Sequence, residues 1–159
     1  HCTLTSGFFL AQRVANYMVR AGRGGSIIFI SSVHSIMSFS RSPAYNAAKR
    51  GLEALAETMA ADLAQDNIRV NTIQPGWIDT PGERAKYGAE MDGAGSTIPL
   101  GRLGTPDDIG EAAVALASMR YVTGHHLTVD GGLSFRHVIE PRRELDRRDN
   151  VGSPIPKQR

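Results

Sequence analysis

The chain has 159 residues, 41% of them hydrophobic and 21% charged, with a formal net charge of +2. No apolar run approaches the roughly 18 residues that a membrane span needs, and the single cysteine, Cys2, excludes an internal disulfide and fits a reducing, cytoplasmic setting. Residues 136–159 hold seven basic and four acidic side chains and leave the rest near −1, so no basic face for nucleic acid is expected.

In chain order, residues 4–21 predict a helix, with Leu4, Phe8, Ala11, Ala15, Met18 and Val19 near one side. Gly22-Arg23-Gly24-Gly25 follows this helix and precedes a strand, so it reads as a helix stop and turn. A dinucleotide-binding glycine loop has the reverse order. Residues 26–31 are almost continuously apolar, as in a buried parallel strand. A loop over 32–42 leads into a second helix at about 43–64, with Ser42 as N-cap and Pro43 in its first turn.

On that helix Tyr45, Lys49, Leu52, Ala56, Met59 and Leu63 share one side, while Ala44, Ala47, Gly51, Ala54 and Ala61 form another with little volume. Two non-polar sides predict packing on a sheet and against another helix at close range; a merely alanine-rich helix has the same composition. Residues 68–74 read as a second strand and 79–104 as loop, with room for a short helix opened by Thr80-Pro81-Gly82-Glu83. Thr105-Pro106-Asp107-Asp108 has the layout of a capping box and starts a helix to about Ser118. Residues 125–129 form a third strand, ending in Asp130-Gly131-Gly132, where the aspartate is expected to fix a turn. Strand, helix, strand, helix, strand predicts an α/β fold: a parallel sheet with helices on both faces. Pro141, Pro154 and Pro156 among charges mark 136–159 as an extended or disordered tail.

The chemistry centres on Tyr45-Asn46-Ala47-Ala48-Lys49. Residues four apart on a helix stand side by side, about 5–6 Å apart at Cβ. A free phenol, with a pKa near 10, is a poor proton shuttle at neutral pH. An ammonium beside it favours the phenolate, and lowering the pKa by three units takes about 4 kcal/mol of differential interaction. Ser32, at the end of the first strand, could hold a substrate oxygen against that phenol. The spacing alone also fits an ordinary amphipathic helix face. His34, two residues beyond Ser32, could face substrate but reads more simply as a solvated loop side chain. His125 and His126 are neighbours on a strand, so they point to opposite faces and form no metal pair.

The run Gly25-Ser26-Ile27-Ile28-Phe29-Ile30-Ser31-Ser32 followed by Tyr45-x-x-x-Lys49 resembles the short-chain dehydrogenase/reductase family. Three further segments match that family in order: 68–80 with Asn71 and Pro75-Gly76, 99–109, and 121–132. The resemblance covers about residues 2–135 and is greatest to glucose-type dehydrogenases and 3-oxoacyl-thioester reductases. It implies the C-terminal part of a doubly wound, Rossmann-like domain whose glycine-rich N-terminal half is absent from this sequence. Residues 1–135 are thus expected to be a partial NAD(P)-binding catalytic domain, with 136–159 as its tail.

Carried over residue by residue, the resemblance makes Tyr45 the general acid/base. Lys49 lowers the tyrosine pKa and bonds the nicotinamide ribose, and Ser32 orients the substrate oxygen. Pro75, Gly76, Ile78 and Thr80 would line the cofactor, NAD or NADP, with the Ile78 backbone at its carboxamide. The implied reaction is hydride transfer between cofactor and a secondary alcohol or ketone, with 79–104 as the lid. It also implies a homodimer or homotetramer through the helices at 4–21 and 43–64. One departure is Thr3, which falls where many relatives carry a relay asparagine. The 159 residues in isolation are expected to be inactive. Competing readings are a truncated, non-catalytic oligomerisation scaffold and a serine hydrolase using Ser32 with Lys49, although no Gly-x-Ser-x-Gly elbow surrounds Ser32.

Overall fold

The structure, a computed structural model, describes residues 2–138. The first helix, α1 (Cys2–Ala21), ends at Gly22, and strand β1 (Gly25–Ile30) follows directly. A 3-10 turn (Val33–Ser35) precedes helix α2 (Pro43–Leu63) and strand β2 (Ile68–Pro75). Two short helices come next, α3 (Pro81–Tyr87) and α4 (Glu90–Ala94), then helix α5 (Pro106–Ser118) and strand β3 (His126–Val129). A last 3-10 turn, Leu133–Val138, takes in the first three residues of the expected tail; residues 139–159 lie outside the described residues.

The three strands form one parallel sheet in the order β1-β2-β3. Gly25 pairs with Ile68 and Ile30 with Ile73; Thr72 pairs with His126. Side chains alternate along a strand, so neighbours Arg69 and Val70 face opposite sides. Val70 joins Phe29 against Ala11, Leu52, Ala56 and Ala60, which places α1 and α2 on one face. Arg69 reaches the Leu116 and Ala117 carbonyls at 2.9 and 2.7 Å, which places α5 on the other. The expected two-faced α/β sheet is what forms.

Close helix packing is built from missing side chains. A Cβ on Gly7 would stand 3.0 Å from Leu52, and one on Gly51 would stand 3.0 Å from Leu4. The low-volume side of α2 thus meets α1 at Gly51, while Ala44, Ala47, Ala54 and Ala61 remain exposed. On α1 only part of the expected apolar side is covered: Ala11 and Ala15 are buried, whereas Phe8 and Val19 are exposed.

Local signals vary in how they are used. Ser42 holds the N-cap position of α2, but its hydroxyl makes no capping bond; only its carbonyl receives the Asn46 N–H, at 2.9 Å. The 79–104 segment is more helical than its six glycines suggest, because Thr80 caps α3 through the Glu83 N–H at 3.2 Å. Arg84 then pins that helix, as described below. At α5 the capping box is complete: the Asp108 N–H donates to Thr105 Oγ1 at 3.3 Å and the Thr105 N–H to Asp108 Oδ2 at 2.7 Å.

Removing the Thr105 hydroxyl (Thr105→Ala) should cost about 1 kcal/mol of stability, read as a lower urea midpoint at unchanged slope. Arg102 and the Thr105 groups hold the Asp108 carboxyl well below its ordinary pKa of 3.8. A depressed folded-state pKa means that this stabilisation is present above the ordinary value and is lost as pH falls below it. The stability gap between wild type and Asp108→Asn should therefore narrow on acidification through that range.

Candidate active site

Parallel pairing brings the carboxyl ends of β1 and β2 side by side, and the Ser31 N–H continues the ladder to the Ile73 carbonyl at 2.7 Å. The chain then turns sharply. Ser32 is extended (φ −171°) and caps the 3-10 turn, its Oγ accepting the His34 N–H at 3.2 Å. Ser35 Oγ donates back to the Ser32 carbonyl at 2.6 Å. Ser32 is buried at 8% exposure, and its own hydroxyl proton is left to donate.

Helix α2 supplies the other two groups. Lys49 Nζ donates to the Ile30 carbonyl at 2.9 Å and lies 5.5 Å from the centroid of the Tyr45 ring. Burial lowers the lysine's pKa below its ordinary value of 10.5. Tyr45 is 44% exposed, so its ring is open to a ligand. The His34 ring stands edge-on to it at 4.9 Å between centroids. Lys49 and Tyr45, chosen on sequence grounds, thus lie at the β1 end, and Ser32 is linked to them through Ile30 and the His34 ring.

His34 is not the solvated loop side chain that its position suggested. Its ring stacks on Phe39 at 4.0 Å, and its Nδ1 lies 2.7 Å from the Asn46 amide. With that amide turned so that its nitrogen donates to Nδ1, the Ser42 carbonyl and the Phe39 N–H are also satisfied. Nδ1 is then an acceptor, and the neutral ring carries its proton on Nε2.

The remaining predicted positions follow β2. Pro75 closes the strand, and the Gly76 N–H donates to the Val129 carbonyl at 2.9 Å. A Cβ on Gly76 would stand 2.6 Å from Asp130 Cα, so glycine is demanded here by the neighbouring chain rather than by an approaching planar ring. Asp130 fixes its turn as expected, accepting the Gly132 and Ser134 N–H groups at 2.8 and 2.7 Å. Ile78 forms a parallel bridge with Gly104, made by the Asp79 N–H and the Trp77 carbonyl at 2.8 and 3.0 Å. In such a bridge the central residue's own N–H and carbonyl point to the other side. Thr80 Oγ1 is engaged as the α3 cap.

Beyond it Arg84 acts as a clasp. Its Nε and one terminal nitrogen grip Asp79 at 2.7 and 2.6 Å, and the other terminal nitrogen reaches Asp92 at 2.6 Å. A cavity of about 100 Å³ lies beside the β2 and β3 exits, lined by Trp77, Ile78, Leu100 and Asp130. Ligand pockets run to about 300 Å³ and more, so it is too small for a dinucleotide.

One residue beside the site, Glu53, escaped sequence reading. Glu53 is wholly buried on α2 and accepts Ser31 Oγ and Gln74 Nε2 at 2.7 and 2.8 Å. The available signal was a charge four residues beyond Lys49, on a helix side otherwise apolar. Among the described residues no group of three or more His, Cys, Asp or Glu is placed to hold a metal ion, and no helix is long and apolar enough to cross a membrane.

A parallel sheet wrapped by helices, with polar side chains collected outside the strand carboxyl ends, defines a Rossmann-like α/β protein. Residues 1–134 match the family model described as enoyl-(acyl carrier protein) reductase. The L-rhamnose-1-dehydrogenase of Scheffersomyces stipitis is 41% identical over 140 residues, covering 82% of this chain and 52% of that protein. A 3-oxoacyl-(acyl-carrier-protein) reductase of Thermotoga maritima is 40% identical over 128 residues, covering 79% and 52%. The crystal structure of a 2-deoxy-D-gluconate 3-dehydrogenase, described as putative, from Agrobacterium tumefaciens with bound NADP superposes with a TM-score of 0.77 at 38% identity. That superposition covers 84% of this chain and 56% of the other. The chain belongs to the short-chain dehydrogenase/reductase family, and it spans about half the length of the curated relatives it matches.

If Arg84 holds α3 and α4 against the β2 exit, Arg84→Ala should speed hydrogen exchange at the Gly88 and Met91 amides. Amides inside β2 should keep their wild-type rates.

Proposed function

We propose that this chain is the catalytic portion of an NAD(P)-dependent oxidoreductase acting on a secondary alcohol or its ketone. The observation that carries the reading is the Lys49 ammonium, fixed on the Ile30 carbonyl and 5.5 Å from the Tyr45 ring, beside the turn that presents Ser32. NAD or NADP would act as the hydride acceptor or donor.

The chain's own groups fit that cofactor. Lys49 uses one N–H on Ile30 and keeps two for ribose hydroxyls. The outward backbone of Ile78 suits a carboxamide, and Thr80 keeps its hydroxyl proton for a phosphate or amide oxygen. Pro75 and Gly76 form the floor between them. Tyr45 gives its phenolic proton to a ketone oxygen, or takes one from an alcohol in the reverse direction. The nearby ammonium stabilises the negative charge left on the phenol oxygen. Ser32 donates to the same substrate oxygen and lessens the cost of charge building there. The α3–α4 segment, clasped by Arg84, is placed to close over a substrate and shape its pocket.

The rhamnose dehydrogenase and oxoacyl reductase among the relatives favour a polyol, sugar or 3-oxoacyl substrate. A homodimer or homotetramer through α1 and α2 is the proposed assembly. The exposed Phe8, Phe9, Leu10 and Tyr17, with the bare alanine row of α2, are apolar surface for it to cover.

Tyr45→Phe in the full-length protein should lower kcat by about 10²–10⁴-fold, the usual contribution of a positioned acid/base. Turnover is followed by the absorbance of the reduced nicotinamide. A variant that works at the wild-type rate on every alcohol and ketone tried would overturn the reading.

A further inference from the structure

Glu53 is a carboxylate at 0% exposure, and its hydrogen bonds go to Ser31, Gln74 and Arg50 rather than to Ser32, Tyr45 or the Lys49 ammonium. An isolated buried charge of this kind is costly and persists only when its oxygens are satisfied. Here they are. Oε1 accepts Ser31 Oγ at 2.7 Å and Gln74 Nε2 at 2.8 Å, and Oε2 takes Arg50 at 3.2 Å. Burial alone would raise the carboxyl's pKa. Ser35, Gln74 and Ser31, with the nearby His126, more than offset that and hold it below the ordinary 4.5.

The partners are not scattered. Ser31 immediately precedes Ser32, and its hydroxyl also reaches the Lys49 carbonyl at 3.3 Å. Gln74 donates to Ser35 Oγ at 3.2 Å, and Ser35 clamps the Ser32 carbonyl at 2.6 Å. Gln74 is itself set by Thr128 Oγ1 on β3 at 2.6 Å. Glu53 sits one helical turn beyond Lys49 and two beyond Tyr45, on the same side of α2. A single buried carboxylate therefore ties the helix that carries two of the proposed catalytic groups to the turn that carries the third. It also ties both to the ends of β2 and β3.

We propose that Glu53 is a positioning residue of the active site: its carboxylate, through Ser31 and Gln74, fixes the Ser32 turn against the Tyr45–Lys49 face of α2. Glu53→Gln is the informative change: with its oxygen kept on Ser31 and Gln74, the amide offers them a neutral acceptor in place of a charged one and turns its NH₂ toward the Arg50 guanidinium, where donor faces donor. Displacing a reacting group by about 1 Å from outside the chemistry can cost about 10² in rate. The inference rests on the oxidoreductase reading above, and its test separates the two.

In the full-length protein, Glu53→Gln should lower kcat by about 10- to 100-fold while the cofactor KM stays within about twofold. Because Glu53 acts through Ser32, the loss should disappear in a Ser32→Ala background: the double variant should be no slower than Ser32→Ala alone. Without cofactor, Glu53→Gln should speed hydrogen exchange at the His34 and Ser35 amides and leave Leu116 unchanged. Ser31→Ala, which deletes only the linking hydroxyl, should reproduce both effects and serves if Glu53→Gln does not fold. Wild-type kcat in both variants, or losses that multiply with Ser32→Ala, would overturn the positioning role. Activity surviving Tyr45→Phe would instead overturn the oxidoreductase reading.

Discussion

Parallel pairing of β1 with β2 in register is the constraint from which the rest follows. Parallel strands leave the sheet at the same edge, so whatever follows Ile30 and whatever follows Pro75 must emerge side by side. The Ser31 N–H extends the ladder by one more bond to Ile73 before the chain turns away. That bond sets where Ser32 begins its turn. The carbonyl of Ile30, left at the edge, becomes the acceptor for Lys49. A helix lying across the same face can then deliver a phenol and an ammonium to a point that the sheet has already chosen.

Much of this was legible because it is local. A tyrosine and a lysine four apart must share a helix side, and the Thr105–Asp108 box closes within one turn whatever surrounds it. The first strand was visible as a short apolar run after a glycine turn, and the second as an alternating stretch closed by a proline. The illegible parts depend on partners far along the chain. Glu53 meets residues 21 and 22 positions away, and its place four residues beyond Lys49 on an apolar helix side is the one local sign of it. His34 looked like a loop histidine because Phe39 and Tyr45 stack around it only after the loop folds back. The α3–α4 segment, with Gly82, Gly88 and Gly93, reads as loop with room for one short helix, yet two form, and Arg84 draws Asp79 and Asp92 together across them. Ser42 erred the other way: the right residue stands at the cap position, but its side chain is unused.

The two faces of the sheet are stabilised by different means. Under α1 and α2 the contact is apolar and close, with Gly7 and Gly51 each leaving room for a leucine from the other helix. On the α5 side polar side chains bond to backbone, whereas under α2 they bond to one another through Glu53 and Gln74. Arg69 closes the end of the helix, and Asn71, fully buried, uses its amide on Val122 and accepts from His125. A buried amide with both ends satisfied has few alternative placements. The loop before β3 is thereby fixed in register with β2, which in turn sets the height at which Asp130 meets Gly76.

That last meeting has a consequence for how the molecule can change. With no Cβ at 76, the backbone of Asp130 lies where a side chain would otherwise be, so the exits of β2 and β3 form one rigid sill. Any residue inserted at 76 would lever the two strands apart before it touched a ligand. Changes of shape at this end of the sheet are therefore left to the segments on either side of that sill.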